Sequence, residues 1–362
     1  MDTTDNTEPA ALFSEIPAPD ALSADRMREI MLSTPRGLSL GRLIEVGALA
    51  ASWQSSVPPA PITQARTVIF AGDHGISERG ISAYSPSASV EIAEEIQAGG
   101  GPVHVLARAA GSAVRLVDVS LDREAWGEER VSRSCPPIDR ADAMTEEDLR
   151  RALEIGQRVA DQEIDAGADL LIPGDLGVGL TTVTAAVAGV FTATEPVAVV
   201  GPGSGTTDGM WKRKVTVLRD AMFRARGLRR EPLAVLRTLS SPDFAALVGF
   251  IGQAAARRTP VLLDGAPVTV AALVADLLAP GAREWFIAGQ LSPEPAHLLA
   301  LRELGLTPLV ALNMFTGQGT GALAALPLIA AACELAADEA AAHAGARAVA
   351  EGDAEVELDN DR

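Results

Sequence analysis

Hydrophobic residues follow a regular rhythm from residue 67 onward: a short apolar run, a loop rich in glycine or proline, and then a helical pattern. Seven of these runs are predicted to be strands: Thr67–Phe70, Val114–Val119, Leu170–Ile172, Val197–Val200, Val261–Leu263, Glu284–Ala288 and Pro308–Leu312. Short strands that alternate with helices are typical of a parallel sheet with helices on both faces. The expected fold is therefore α/β and Rossmann-like, with a ligand site where the strands end.

The two ends of the chain show helical patterns instead. Ala24–Met31 and Leu38–Trp53 are predicted helices, and Leu323–His343 is predicted to be a long alanine-rich helix. Acidic segments poor in aromatic residues flank these regions, and such segments are expected to be disordered. The expected organisation is a disordered acidic tail, a small helical domain from both termini, an α/β phosphate- or nucleotide-binding domain and a second disordered acidic tail, at residues 1–20, 21–60 with 323–345, 61–322 and 346–362.

The chain has a formal net charge of -18, from 48 acidic and 30 basic residues. This charge disfavours nucleic acid or an anionic membrane as the partner, because both attract basic surfaces. The N-terminus has no signal-peptide pattern, and glycine, proline or charged residues interrupt the apolar stretches short of a membrane span. A cytoplasmic protein with small-molecule partners is therefore expected.

Two glycine-rich loops, Gly174–Gly179 and Gly201–Gly205, follow predicted strands. Backbone N–H groups can approach an anion closely in such loops, and the next helix adds its positive end. The first loop resembles a nucleoside-triphosphate loop, but Leu180 stands where that motif requires lysine. Neither loop has dinucleotide-binding spacing. A smaller phosphate-bearing ligand is predicted, with Lys214 as the compensating cation.

Seven motifs occur in the same order as in the nicotinate-nucleotide–dimethylbenzimidazole phosphoribosyltransferase family, which this sequence resembles over residues 25 to 345. They are Val68-Ile-Phe-Ala-Gly-Asp-His-Gly75, Gly80-Ile-Ser-Ala-Tyr84, Gly174-Asp-Leu-Gly-Val-Gly179 with Thr181-Thr182, Gly201–Gly205 with Asp208 and Lys214, Arg258-Thr-Pro-Val-Leu-Leu-Asp-Gly265, Ser292-x-Glu294-Pro295-x-His297 and Gly317-Gln-Gly-Thr-Gly-Ala322. The resemblance implies transfer of phosphoribose from nicotinate mononucleotide to a benzimidazole, in the pathway to the cobalamin lower ligand. It also implies a homodimer. No cofactor or metal is expected, because nicotinate on its ribose is already a cationic leaving group.

The resemblance also implies roles for individual residues. It places Ser82 and Tyr84 near the aromatic base. It assigns the nucleotide phosphate to the amides of Gly177, Gly203 and Gly205 with Lys214 and Ser292, and the predicted substrate-binding set is completed by Gly179, Asp208, Gly317 and Gly319.

The proton acceptor is where this chain departs from the family pattern. The family has a glutamate as general base at the second position of the Gly317–Gly321 motif, and this chain has Gln318. An amide cannot accept a proton at neutral pH, and a positioned base contributes ~10²–10⁴-fold in rate. Asp175 is the candidate substitute base, and its alternative role is a carboxylate that fixes the loop through backbone amides. Further departures lie in the ligand loops, at Leu180, Pro202, Thr207, Gln290 and Leu291.

Three functions are compatible with these residues. The first is the phosphoribosyltransferase, a glycosyltransferase. The second is a transferase of the same fold with a different acceptor, and the third is a catalytically impaired paralogue that binds a nucleotide or base as a sensor or partner. Gln318 favours the third, whereas Lys214, Ser292 and the glycine loops favour ligand binding in all three. His74 and His297 are predicted to make ordinary structural hydrogen bonds.

Overall fold

The computed structural model describes residues 12–203 and 205–360, with side chains through residue 346. Its described residues form five strands: β1 (Ala65–Gly72), β2 (Ala113–Ser120), β3 (Leu170–Leu176), β4 (Val261–Leu263) and β5 (Phe286–Ala288). They also form fourteen α-helices: α1 (Ala21–Leu32), α2 (Pro35–Leu38), α3 (Arg42–Gln54), α4 (Ala88–Gln97), α5 (Gly101–Ala110), α6 (Glu146–Asp165), α7 (Leu180–Thr192), α8 (Pro196–Val199), α9 (Asp208–Arg224), α10 (Pro232–Leu239), α11 (Pro242–Ala256), α12 (Ala266–Leu278), α13 (Pro295–Leu304) and α14 (Thr320–Asn360).

The strands form a single parallel sheet in the order β2-β1-β3-β4-β5, which confirms the predicted α/β fold. All seven residues of β3 are buried, as are seven of the eight in β1. Successive residues point to opposite faces of a strand, so burial of both sets means that both faces are covered. The strand order reverses between β1 and β3, and doubly wound sheets of this order bind ligands at that point.

Two of the seven predicted strands are wrong. Val197–Val200 lies mostly in helix α8, which starts at Pro196 with Glu195 as its N-cap. Both edges of β3 are already paired, with β1 and β4, so this run has no place beside β3. Pro308–Leu312 makes only an isolated bridge, between Val310 and Gln290.

Part of each predicted acidic tail has a defined structure. Phe13 is buried, with its ring against Gly252, and the indole N–H of Trp285 donates to the carbonyl oxygen of Pro17 at 2.8 Å. At the other end, α14 continues to Asn360. Residues 1–11, 361 and 362 lie outside the described residues.

The chain divides into two compact units. Of the described residues, the first contains 12–17, 65–203 and 205–324, and therefore the whole sheet. The second contains 18–64 and 325–360, and its core is formed by side chains of α1, α3 and α14: Met27, Ile30, Met31, Ile44, Ala51 and Ala336.

Among the described residues, one helical stretch, Thr320–Ala346, is long and apolar enough to cross a membrane by length and composition. The expectation that every apolar stretch falls short of a span was therefore wrong. Of its apolar window, 56% is buried within the protein. A core helix of a globular protein passes the same test, so this stretch is weak evidence for a membrane segment.

Helices α6 and α11 cross at two glycines. A methyl group at Gly156 would overlap the carbonyl oxygen of Ala246, and one at Gly249 would overlap that of Leu153. We expect Gly156→Ala to lower the free energy of unfolding by about 2–3 kcal/mol, because backbone must move to admit the methyl group. Chemical denaturation checks this, with Gly227→Ala as the control, since nothing lies within 4 Å of a methyl group there.

Candidate active site

A cavity of about 520 Å³ lies at the carboxyl ends of the strands. Its wall comes from the segments that follow β1, β3, β4 and β5, and from the starts of α7, α12 and α14. The cavity therefore occupies the position where the strand order reverses. Most of the predicted site residues line it: Ser82, Tyr84, Asp175, Gly177, Gly179, Gly203, Lys214, Ser292, Gly317 and Gln318.

Three predicted residues do not line the cavity in the described part of the chain. Gly205 and Asp208 are exposed, because the chain turns outward there to begin α9, with Thr207 as its N-cap. Gly319 instead packs against β-strand side chains: a methyl group on it would lie 3.2 Å from both Ile172 and Thr67.

Two buried aspartates, Asp175 and Asp264, face the cavity. Burial, together with the charges of Asp264 and Asp243, raises the pKa of Asp175 to about 8. Burial also raises the pKa of Asp264 to about 7, although Asp264 accepts a hydrogen bond from the N–H of Ala322 at 3.2 Å. Asp264 is thus held by the start of α14, whereas Oδ1 of Asp175 has no hydrogen-bond partner among the described residues. Asp175 is the group available to a ligand.

Gln318 lies directly beside Asp175. Its backbone N–H donates to the Asp175 carbonyl oxygen at 3.0 Å, and its φ of +61° places it in the left-handed region. The side chain is buried, and Oε1 has no partner among the described residues. A buried acceptor without a partner is costly, so this oxygen is ready to accept a hydrogen bond from a ligand.

Lys214 is 1% exposed and points inward from α9. Its ammonium group donates to Oγ1 of Thr181 at 2.9 Å and to the Gly201 carbonyl oxygen at 3.4 Å. Burial lowers the pKa of Lys214, and the charge of Glu294 partly opposes this. The lysine therefore connects the second glycine loop to Thr181, just after the first loop. Its role as the cation at a phosphate site stays a prediction.

The second glycine loop already holds an anion. The N–H of Gly203 donates to Oε1 of Glu294 at 2.9 Å, and a methyl group on Gly201 would overlap the same carboxylate. The Gly203 amide, predicted to bind phosphate, is therefore occupied by a side chain of the protein. Glu294 belongs to one of the sequence motifs, and no role was predicted for it from the sequence.

We expect Glu294→Gln to bind nicotinate mononucleotide, the ligand that the sequence resemblance implies, about tenfold more tightly at pH 7. The amide keeps an acceptor for Gly203 and removes a negative charge beside the cation, and tenfold corresponds to ~1.4 kcal/mol. Isothermal titration checks this, with the exposed Glu303→Gln on α13 as control. Weaker binding in Glu294→Gln would show that the carboxylate organises the loop rather than opposing the phosphate.

Ser292 is fixed by a buried histidine. Its backbone N–H donates to Nδ1 of His297 at 3.1 Å, and its hydroxyl lies 2.9 Å from the same nitrogen. Because a backbone N–H can only donate, Nδ1 is an acceptor and the Ser292 hydroxyl donates to it. Burial lowers the pKa of His297 to about 4, in agreement with a neutral ring. The hydrogen bond predicted for His297 thus orients a residue of the cavity.

His74 and Asp243 form a buried pair behind the first glycine loop. Nε2 of His74 lies 3.1 Å from Oδ1 of Asp243, and Nδ1 lies 3.0 Å from the carbonyl oxygen of Val178. A structural role was predicted for His74 but not for Asp243. The available signal was a single acidic residue in a mostly apolar helix, α11.

The chain has extensive similarity to known proteins. A family model described as "Phosphoribosyltransferase" matches residues 16–346. The nicotinate-nucleotide–dimethylbenzimidazole phosphoribosyltransferase of Corynebacterium glutamicum ATCC 13032 is 55% identical over 329 residues, which are 90% of this chain and 92% of the relative. The chain belongs to this family. The protein of the same name from Mycobacterium ulcerans is 49% identical over 326 residues, 88% of this chain and 91% of that one.

A solved family member has the same fold. The crystal structure of CobT from Thermus thermophilus superposes with a TM-score of 0.82 at 34% identity, over 87% of this chain and 95% of that one. Family membership agrees with the resemblance found in the sequence motifs. In this chain the parallel sheet brings most of the predicted site residues to the strand ends that form the cavity.

Proposed function

We propose that this protein transfers the phosphoribosyl group of nicotinate mononucleotide to a benzimidazole-type base, giving α-ribazole phosphate for the cobalamin lower ligand. The observation that carries the proposal is that Oδ1 of Asp175 and Oε1 of Gln318 have no hydrogen-bond partner among the residues the structure describes, in a cavity that also holds Lys214. The corynebacterial and mycobacterial relatives that are named for this activity support it.

In the proposed reaction, a ring nitrogen of the base attacks C1′ of the ribose. The bond from C1′ to the nicotinate nitrogen breaks, and nicotinate leaves with the electron pair, which neutralises its ring. The N–H proton of the attacking base passes to Asp175. Gln318 Oε1 accepts the hydrogen bond from that N–H before transfer and so orients the base, while Lys214 binds the phosphate.

A pKa of about 8 suits Asp175 to this role above neutral pH. The ionised fraction of the carboxyl group rises through that value, and the free carboxylate is then an effective proton acceptor in a buried site. We expect kcat/KM to rise with pH toward 8 and to level off above it.

We also propose that the protein is a cytoplasmic homodimer, as the family resemblance implies. Its proposed small-molecule partners are nicotinate mononucleotide and the base.

The proposal is tested by mixing the purified protein with nicotinate mononucleotide and dimethylbenzimidazole and following nicotinate release, with Gln318→Glu beside it. Turnover by the unmodified protein supports the proposal and a role for Asp175. Turnover by the variant alone would show that both substrates bind and that no base operates in the natural chain. If neither protein releases nicotinate although both bind the nucleotide, the result would contradict the proposed acceptor.

A further inference from the structure

The His74–Asp243 pair lies outside the set of residues proposed to touch substrate, yet it is built against the cavity wall. Both side chains are fully enclosed, with 1% of His74 and none of Asp243 exposed. His74 follows β1, and Asp243 lies in the first turn of α11. Their contact therefore joins two elements of the α/β unit immediately behind the first glycine loop.

The hydrogen bonds fix the protons on the imidazole ring. The carbonyl oxygen of Val178 can only accept, so Nδ1 of His74 carries a proton. The Asp243 carboxylate also accepts, so Nε2 carries one too, and the ring is an imidazolium. Burial opposes that charge, but the charge and hydrogen bond of Asp243, the Val178 carbonyl and the charge of Asp73 together raise the pKa of His74.

The ring also fixes the loop by contact. A methyl group on Gly177 would overlap both Cε1 of His74 and the carbonyl oxygen of Gly72. Gly177 is therefore pressed between the ring and the end of β1, and only a residue without a side chain fits there. The ring holds the carbonyl of Val178, and residues 177–179 of the same loop line the cavity.

We propose that His74, held by Asp243, is a positioning residue that fixes residues 177–179 in the cavity wall and places a compensating positive charge behind Asp175. Its kinetic consequence rests on the function proposed above, because there Asp175 accepts the proton. The groups that face the pair are Asp73, Cys135 and Asp175, and the charges of both His74 and Asp243 act on Asp175.

Three variants separate the charge from the contact. His74→Gln leaves the Asp243 carboxylate uncompensated, so the Asp175 titration midpoint moves to higher pH. Asp243→Asn keeps the geometry with an uncharged pair, since the amide donates to Nε2 of a neutral ring, and the midpoint stays in place. The double variant has neither charge, so its midpoint returns to that of the natural protein. Both variants that lack His74 lose roughly tenfold to a hundredfold in kcat/KM through a displaced loop.

The midpoint is measured by ¹³C NMR titration of aspartate-labelled protein, with Asp175→Asn identifying the resonance, and kcat/KM is measured over the same pH range by nicotinate release. If the role of His74 were purely structural, the Asp175 titration midpoints of the single and double variants would not follow this charge-dependent order. An unchanged Asp175 midpoint in His74→Gln would overturn the proposal. If His74→Gln fails to fold, Asp243→Asn still tests the proposal. A lowered Asp175 midpoint in that variant would overturn it, because the negative charge of Asp243 would then have been removed without the loss of a balancing positive charge on His74. The NMR titration needs no turnover, so absence of nicotinate release would contradict the proposed function while leaving this test intact.

Discussion

Asp175→Asn is expected to lower kcat by ~10²–10⁴-fold, the contribution of a positioned base. The asparagine amide occupies the same buried space beside Gln318 but cannot accept the azole proton. The rise in kcat/KM toward pH 8 is expected to disappear with it. Nicotinate release over pH 6 to 9 measures both effects, with Asp208→Asn as the control, since Asp208 is exposed and lies outside the cavity. Activity equal to the natural protein would assign Asp175 the structural role instead.

The same variant is expected to be more stable, by about 0.5–2 kcal/mol at pH 8. The pKa of Asp175 is 3.8 in the unfolded chain and about 8 in the folded protein. Between these values the folded state holds a proton that the unfolded state lacks, so the natural protein loses stability as pH rises. Asparagine removes that loss, and the difference in free energy of unfolding should grow from pH 5 to 8. Denaturation at several pH values checks the trend, and a constant difference would contradict it.

Lys214→Met is expected to raise KM for nicotinate mononucleotide roughly tenfold to a hundredfold, which corresponds to the loss of a charge-assisted hydrogen bond to phosphate. Lys214 is proposed to bind the phosphate and takes no part in the proton transfer. The value of kcat should therefore change little. Steady-state kinetics with each substrate in turn separates these effects.

Lys212→Met is the matched control for that experiment, since Lys212 is exposed two residues earlier on α9. Its KM should equal that of the natural protein. An unchanged KM in Lys214→Met would assign the buried ammonium group a purely structural role, as a link between Thr181 and Gly201.

The placement of Lys214 shows which part of the site could be predicted from the sequence and which part could not. The glycine loops predicted an anion site, and the lysine just after them was the natural cation. Its two neighbours in sequence, Lys212 and Arg213, are exposed, so helical periodicity alone selects which of the three faces inward. Glu294 could not be paired with Gly203 in this way, because 91 residues separate them and only the sheet brings the β5 loop to the second glycine loop.

The wrong strand prediction at Val197–Val200 also arose because the pairing of strands is decided by the whole sheet. Val197–Val200 is β-branched and apolar, so its composition favours a strand, but a strand needs a free neighbouring edge. That edge is a property of the whole sheet, in which β4 already pairs with β3. The proline at position 196 then begins helix α8, as proline in the first turn of a helix commonly does.

The sequence by itself determined the α/β class, the parallel sheet and the family, because these depend on the order of short apolar runs, glycine loops and motifs along the chain. It also predicted Asp175 and Gln318 as the candidate catalytic residues, and both line the cavity. Only the tertiary structure decided that Oδ1 of Asp175 has no hydrogen-bond partner in the described part of the chain, that burial raises the pKa of this carboxyl group, that Glu294 occupies the Gly203 amide and that His74 pairs with Asp243. Burial and charge at a site are set by residues distant in sequence, and their contacts exist only once the sheet has brought the strand ends together.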